Sequence, residues 1–129
     1  MERVTTLFTP VISSQPDRFS QRRGNENDLC TCKITTTPGN RDEVLAAYRG
    51  NTNAVRAEHG CIEYSAGLDP LIPEETPNLL GADTFVIVEK WDSFESLQAH
   101  RVSPHMQAYA AKVKHMIAAR FVNVLAPVE

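Results

Sequence analysis

The sequence predicts an α+β domain with the ferredoxin-like split βαβ arrangement, and three observations carry that reading. Strand and helix patterns follow the order strand-helix-strand-strand-helix-strand between residues 29 and 127. The third strand pattern, "DTFVIVEKW", is apolar on both faces, as in a strand covered on two sides. A Ser-Pro pair at 103–104 stops the last helical stretch and restarts it. The 129 residues are 42% hydrophobic and 22% charged, which suits one soluble domain with a modest core. A net charge of −3 provides no basic stripe for nucleic acid, and no apolar run is long enough to cross a bilayer. The N-terminus has no continuous apolar segment of the signal-peptide kind, so the expected location is cytoplasmic.

Each element has a local cause. Residues 1–28 are an N-terminal extension, with "SSQPDRFSQRRGNEND" polar and aperiodic; they predict a mobile or draped arm ahead of a domain spanning 29–129. "LCTCKITTT" (29–37) is β-branched and reads as the first strand. "PGNRDE" turns the chain, with Asn40 or Asp42 a candidate N-cap. Leu45, Tyr48, Thr52 and Val55 then mark a helical stripe, closed by Gly60 as its C′ residue. Thr52 on that stripe, with Asn51 beside it, predicts either a cavity or a solvated stripe edge. "CIEYSAGLD" is the second strand, and the proline-rich loop over 70–82 is expected to shape a pocket mouth. "SFESLQAH" is a short helix with Ser93 or Ser96 as cap. Ser103, Pro104 and His105 open the last helix, whose stripe is Met106, Tyr109, Ala110, Val113, Met116 and Ile117. "RFVNVLAP" closes the fold as a fourth strand. Helices cover one face of such a sheet, so the doubly apolar third strand predicts a homodimer with two sheets face to face.

Three cysteines cannot all pair within one chain. Cys30 and Cys32 share a strand face with Cα atoms roughly 6.6 Å apart, which is unfavourable for a disulfide. Reduced thiols fit a cytoplasmic protein, and nothing nearby completes a metal set.

His100 and His105 are too far apart for one helix face, but the break at Pro104 lets both turn towards one cavity. His105 sits at a helix N-terminus, where the dipole favours neutral imidazole. Glu89 and Trp91 share a strand face by period two. An acid within an apolar strand needs a partner, and a histidine from the covering helix would supply one and become a carboxylate-oriented base. Trp91 offers a flat apolar wall, Tyr64 a hydroxyl, and Lys33 a cation for a phenolate or enolate oxygen. For each histidine the bland reading, a packed His100 and a solvated His105, stands beside the catalytic one.

The series "EHGCIEY" (58–64), "DTFVIVEKWDSFESLQAH" (83–100), "SPHMQAY" (103–109) and the closing "VLAP" resembles the antibiotic biosynthesis monooxygenase family, especially its quinol-monooxygenase branch. The likeness covers residues 29–127, about three-quarters of the chain, and leaves the N-terminal arm outside. It implies a dimeric α/β barrel, a pocket between sheet and helices, and oxidation of a small quinol, anthrone or similar phenolic aromatic by O2. No metal, flavin or haem cofactor is implied. The corresponding assignment makes His100, Glu89 and Tyr64 catalytic. Trp91, His105, Met106, Lys33 and Thr52 bind substrate. Haem-degrading relatives depend on an Asn, a Trp and a His whose places hold Cys32, His100 and Ala110 here, so haem cleavage is not expected. Two other functions use the same cavity. One is isomerisation of a phosphorylated hydroxy-ketone signal, with Arg101 or Lys33 on the phosphate; the other is non-catalytic ligand binding in a stress protein.

Overall fold

The computed structural model describes residues 27–72, 74 and 76–128. The expected arm of residues 1–28 lies outside them up to residue 26, but Asp28 is the first residue of β1 and is fully buried, so the strand claims the end of the expected arm. The elements are β1 (Asp28–Thr36), α1 (Arg41–Arg56), β2 (Cys61–Gly67), β3 (Thr84–Trp91), α2 (Phe94–Arg101), α3 (Pro104–Val113) and β4 (Ile117–Leu125). A single 3₁₀ turn, Lys114–Met116, joins α3 to β4. All strand pairs are antiparallel in the order β2-β3-β1-β4, the split βαβ topology the element order predicts.

Alternation along β1 buries Cys30, Cys32 and Ile34 beneath the helices and leaves Lys33 on the other face. On β3 the same period puts Phe85, Ile87, Glu89 and Trp91 under the helices. The register aligns Tyr64, Glu89, Cys30 and Val124 as one row across all four strands. Val44, Leu45, Tyr48, Thr52 and Val55 form the buried stripe of α1. They pack over Phe85, which is fully enclosed, and enclosing a side chain of that size contributes about 2–3 kcal/mol.

Several boundaries differ from the sequence reading for physical reasons. Asn40 occupies the cap position of α1, but its amide donates to Thr37 Oγ1 instead of serving a helix N–H. The helix ends at Arg56, so Gly60 is not its C′ residue. Gly60, at φ +86°, instead turns the chain into β2, and a Cβ there would stand 2.2 Å from Ser96 Oγ and 2.4 Å from Asp92 Oδ1. The apolar stripe continues past α3, but Met116 lies in the 3₁₀ turn and Ile117 already belongs to β4.

The break between α2 and α3 forms as its sequence predicts. Ser93 caps α2 by accepting from Ser96 N–H, and Ser103 caps α3 by accepting from Met106 N–H with Pro104 behind it. Ser103 also donates its hydroxyl to the carbonyl of His100 at 2.9 Å. One side chain therefore satisfies orphan groups at the end of one helix and the start of the next.

The opposite face of the sheet has no helix over it. Val88 is 41% exposed and Phe121 64%, with Leu125 also open and Leu29 and Val86 half-buried. Among the described residues no helix is long and apolar enough to cross a membrane.

Candidate active site

A cavity of about 650 Å³ lies between the covered sheet face and the α2–α3 layer. Its floor is Cys30, Cys32, Ile34, Tyr64, Ile87, Glu89 and Val122; its roof includes Leu97, His100, Met106, Tyr109 and Val113. Arg101, Lys114 and Arg120 stand at its solvent side. The split topology makes this space: α2 follows β3 after a two-residue turn and lays His100 over Trp91, while α3 supplies Met106, Tyr109 and Val113 to the roof.

His100 is the best-buried titratable group of the roof. Its Nδ1 lies 3.0 Å from Glu58 Oε2, and His105 Nε2 lies 2.6 Å from that same oxygen. An ionised carboxylate oxygen only accepts hydrogen bonds. Both rings therefore direct an N–H at Glu58, which fixes neutral His100 as its Nδ1–H tautomer. The lone pair of His100 Nε2 is left towards the cavity, where Glu89 Oε1 stands 3.8 Å away, beyond direct hydrogen bonding. Glu58 is placed by its backbone, which accepts from Cys61 N–H and donates to the Val55 carbonyl.

Glu89 accepts the indole N–H of Trp91 at 2.9 Å. Burial raises its carboxyl above the ordinary value of 4.5, opposed by the Trp91 hydrogen bond and the nearby His100 and Arg101. Tyr64 faces Glu89 across the strand pair, edge-on to His100 and stacked on Tyr48. Burial and the Glu89 charge push its phenol far up, so it remains a hydroxyl donor. Tyr109 is pushed up to about 12, chiefly by burial. Cys30 is also raised to about 12 by burial and Glu89, so both floor thiols, with Cys32 likewise raised, stay protonated.

The geometry gathers His100, Glu89, Tyr64 and Met106 around one cavity and corrects the other expected site residues. Lys33 is exposed on the opposite sheet face, because it lies between inward-facing Cys32 and Ile34. Thr52 is buried but gives its hydroxyl to the Arg49 carbonyl at 3.0 Å, so it is satisfied within its own helix and does not line the cavity. Its neighbour Asn51 does reach a cavity residue, with Nδ2 3.4 Å from Met106 Sδ. Trp91 is no wall: the His100 ring lies across it at 4.7 Å and separates it from the cavity. His105 also stands outside, 30% exposed, on the far side of Glu58. The two imidazoles thus converge on one carboxylate, and only His100 meets the cavity. The described residues of the 70–82 loop do not line it either.

Sequence reasoning missed Glu58 as the acid that holds His100, having assigned that role to Glu89. It also missed Arg120 and Lys114. Period two could have found Arg120, which opposes Ile34 on β4. No local pattern marks Glu58, because its partners come from two other helices. Among the described residues no group of three or more His, Cys, Asp or Glu side chains is arranged to hold a metal ion.

Comparison with known proteins gives consistent results. The family described as "Antibiotic biosynthesis monooxygenase" matches residues 30–112. The chain is 31% identical over 97 residues to the "Probable quinol monooxygenase YgiN" of Escherichia coli K12, covering 74% of this chain and 92% of that one. Among solved structures, PA3566 from Pseudomonas aeruginosa superposes with a TM-score of 0.68 at 18% identity, covering 84% of this chain and all of that one. Rv0793 from Mycobacterium tuberculosis superposes with a TM-score of 0.66 at 25% identity, covering 80% and 96% of the two chains.

Proposed function

The chain belongs to the antibiotic biosynthesis monooxygenase family, and from that premise we propose that it is a cofactor-independent monooxygenase or oxidase of a quinol, anthrone or similar phenolic aromatic. One observation carries the reading: a buried imidazole whose Nδ1 is tied to Glu58 and whose Nε2 faces Glu89 across 3.8 Å. A phenolic oxygen about 2.8 Å from each of those atoms fits that gap.

In this mechanism His100 Nε2 removes the phenolic proton, and Glu58 steadies the imidazolium that forms. Tyr64 O–H and the protonated form of Glu89 are available as hydrogen-bond donors to the anion. The electron-rich ring passes an electron to O2, the two radicals join at a ring carbon, and the peroxide anion takes the proton held by His100 to become a hydroperoxide. His100 then removes the hydrogen on that carbon as the O–O bond breaks and hands it to the departing hydroxide, which leaves a carbonyl and water. Hydroquinol plus O2 thus gives hydroxyquinone plus water. Release of the peroxide before that step gives quinone plus hydrogen peroxide. The apolar walls exclude water from the anion. His105, between Glu58 and solvent, gives the base a route for proton exchange with bulk.

We also read the chain as a homodimer joined through the bare sheet face, since Val88, Phe121 and Leu125 leave it apolar and open. The three free cysteines support a reducing, cytoplasmic location. An oxygen-electrode assay of the metal-free protein against naphthohydroquinols and anthrones tests the function. His100→Ala is expected to slow oxygen uptake by about 10²–10⁴-fold while the protein stays folded; wild-type turnover in that variant would remove His100 as the base. Turnover of a phosphorylated hydroxy-ketone without oxygen uptake would instead favour the isomerase.

A further inference from the structure

The cavity is polar at two ends, and the mechanism above uses only one of them. At the inner end stand His100, Glu89 and Tyr64. On the solvent side Arg101, Lys114 and Arg120 line the cavity from α2, the 3₁₀ turn and β4, and the charges of both arginines are felt at Cys30 and Cys32. This is a concentration of positive charge in a chain whose net charge is −3. Among the described residues Glu89 is the sole acid lining the cavity. Among the described residues neither arginine has a carboxylate within ion-pair distance. Arg101 donates to the neutral amide oxygen of Gln98, and the charge of Arg120 bears on the Cys32 thiol, whose burial keeps it protonated. Cations so placed, beside an apolar cavity and short of counter-charge, are suited to an anion brought by the ligand.

Strand register gives the spacing. Glu89 opposes Cys30, and Arg120 opposes Ile34, four residues further along β1, or roughly 13 Å at the usual rise. The charge of Arg120 is felt at Cys32, two residues nearer the Glu89 row along β1. A fused two-ring aromatic bridges such a distance with its long axis, lying against Ile34, Ile87 and Val122.

We propose that the substrate is an anionic aromatic, with a phenolic hydroxyl held at His100 and Glu89 and a carboxylate on the opposite end of the ring system held by Arg101 and Arg120. The proposal rests on the phenol-oxidation reading for its inner end only. A planar carboxylate matches two guanidinium forks at the edge of a flat ligand. Lys114 adds charge without that geometry.

Binding is measured with 6-hydroxy-2-naphthoate, a fluorescent ligand that has the phenol and the acid at opposite ends and requires no turnover. Its neutral isostere, 6-hydroxy-2-naphthamide, and the phosphate ester, 6-hydroxy-2-naphthyl phosphate, complete the set. The wild-type protein is expected to bind the acid at least about tenfold tighter than the amide, with the preference shrinking as salt rises. Arg101→Gln and Arg120→Gln are each expected to reduce the preference to about threefold or less while amide binding stays level. Equal affinity of acid and amide in the wild-type protein overturns the proposal, even if the variants fail to fold. So does an acid preference that survives both substitutions. Tenfold tighter binding of the phosphate ester than of the acid overturns the carboxylate assignment and gives the cationic end to a phosphate. Oxygen uptake with 5,8-dihydroxy-2-naphthoate is read in parallel. Charge-dependent binding of the acid without oxygen uptake upholds the anion site and removes the monooxygenase reading alone.

Discussion

The two faces of the sheet are built from the same four strands and do opposite things. The covered face holds the row Tyr64, Glu89 and Cys30, where burial raises every ionisable side chain and a helix presses an imidazole over the acid. The bare face holds Lys33, Val86, Val88 and Phe121, open to solvent or half-open. A shift of one residue along β1 or β3 carries a side chain from one regime to the other. Chemistry is therefore confined to alternate positions, and the intervening ones are free to build an interface.

That contrast can be broken or sharpened. The largest expected effect on catalysis beyond His100 itself is at its holder: Glu58→Gln is expected to lower kcat/KM by about 10–100-fold. The amide has one oxygen and no charge, and it competes for two ring N–H groups. Steady-state oxygen uptake gives the rate, and ¹⁵N chemical shifts of the His100 ring report the tautomer; an unchanged Nδ1–H tautomer with an unchanged rate would remove Glu58 from the site. Next comes the bare face. Phe121→Asp puts a charge into the apolar patch without touching the cavity, so it is expected to raise the dimer dissociation constant by at least about 10²-fold. Sedimentation velocity across a concentration series measures it, and a wild-type chain that is monomeric throughout would end the dimer proposal.

The smallest effect is a matter of sign. Because Glu89 is raised in the folded chain, its contribution to stability is fully present below its ordinary value near 4.5 and is lost as pH rises through the folded value. Glu89→Gln keeps an acceptor for the Trp91 N–H and removes the titration. Its urea midpoint is expected to match wild type near pH 4 and to exceed it at pH 7, even as activity falls. Parallel midpoints across that range would show that burial does not strain this acid.

Much of the fold was legible because it rests on short-range rules. β-branched runs gave the strands, and Ser93 and Ser103-Pro104 gave the helix starts, since caps act within three residues of themselves. Half of the site was legible for the same reason: Glu89 stood out as an acid within an apolar strand, and the Pro104 break allowed the histidines to diverge. The other half depends on where elements land. Glu58 meets its histidines across 42 and 47 residues, and no window contains both. The Trp91 indole looked like a cavity wall until the helix that follows it laid a ring over it. Lys33 is a different lesson. The alternation that paired Cys30 with Cys32 already placed the residue between them and Ile34 on the far side, and attraction to a cation near a phenolate overrode it.

The close packing at Gly60 reaches further than its own turn. The loop that presents Glu58 lies so near the first turn of α2 that a lone hydrogen is all that fits between them. The same α2 carries His100 in its last turn. Acid and imidazole are thus kept in register by one glycine turn. A methyl group added there would strain the turn and push Glu58 and His100 out of step together.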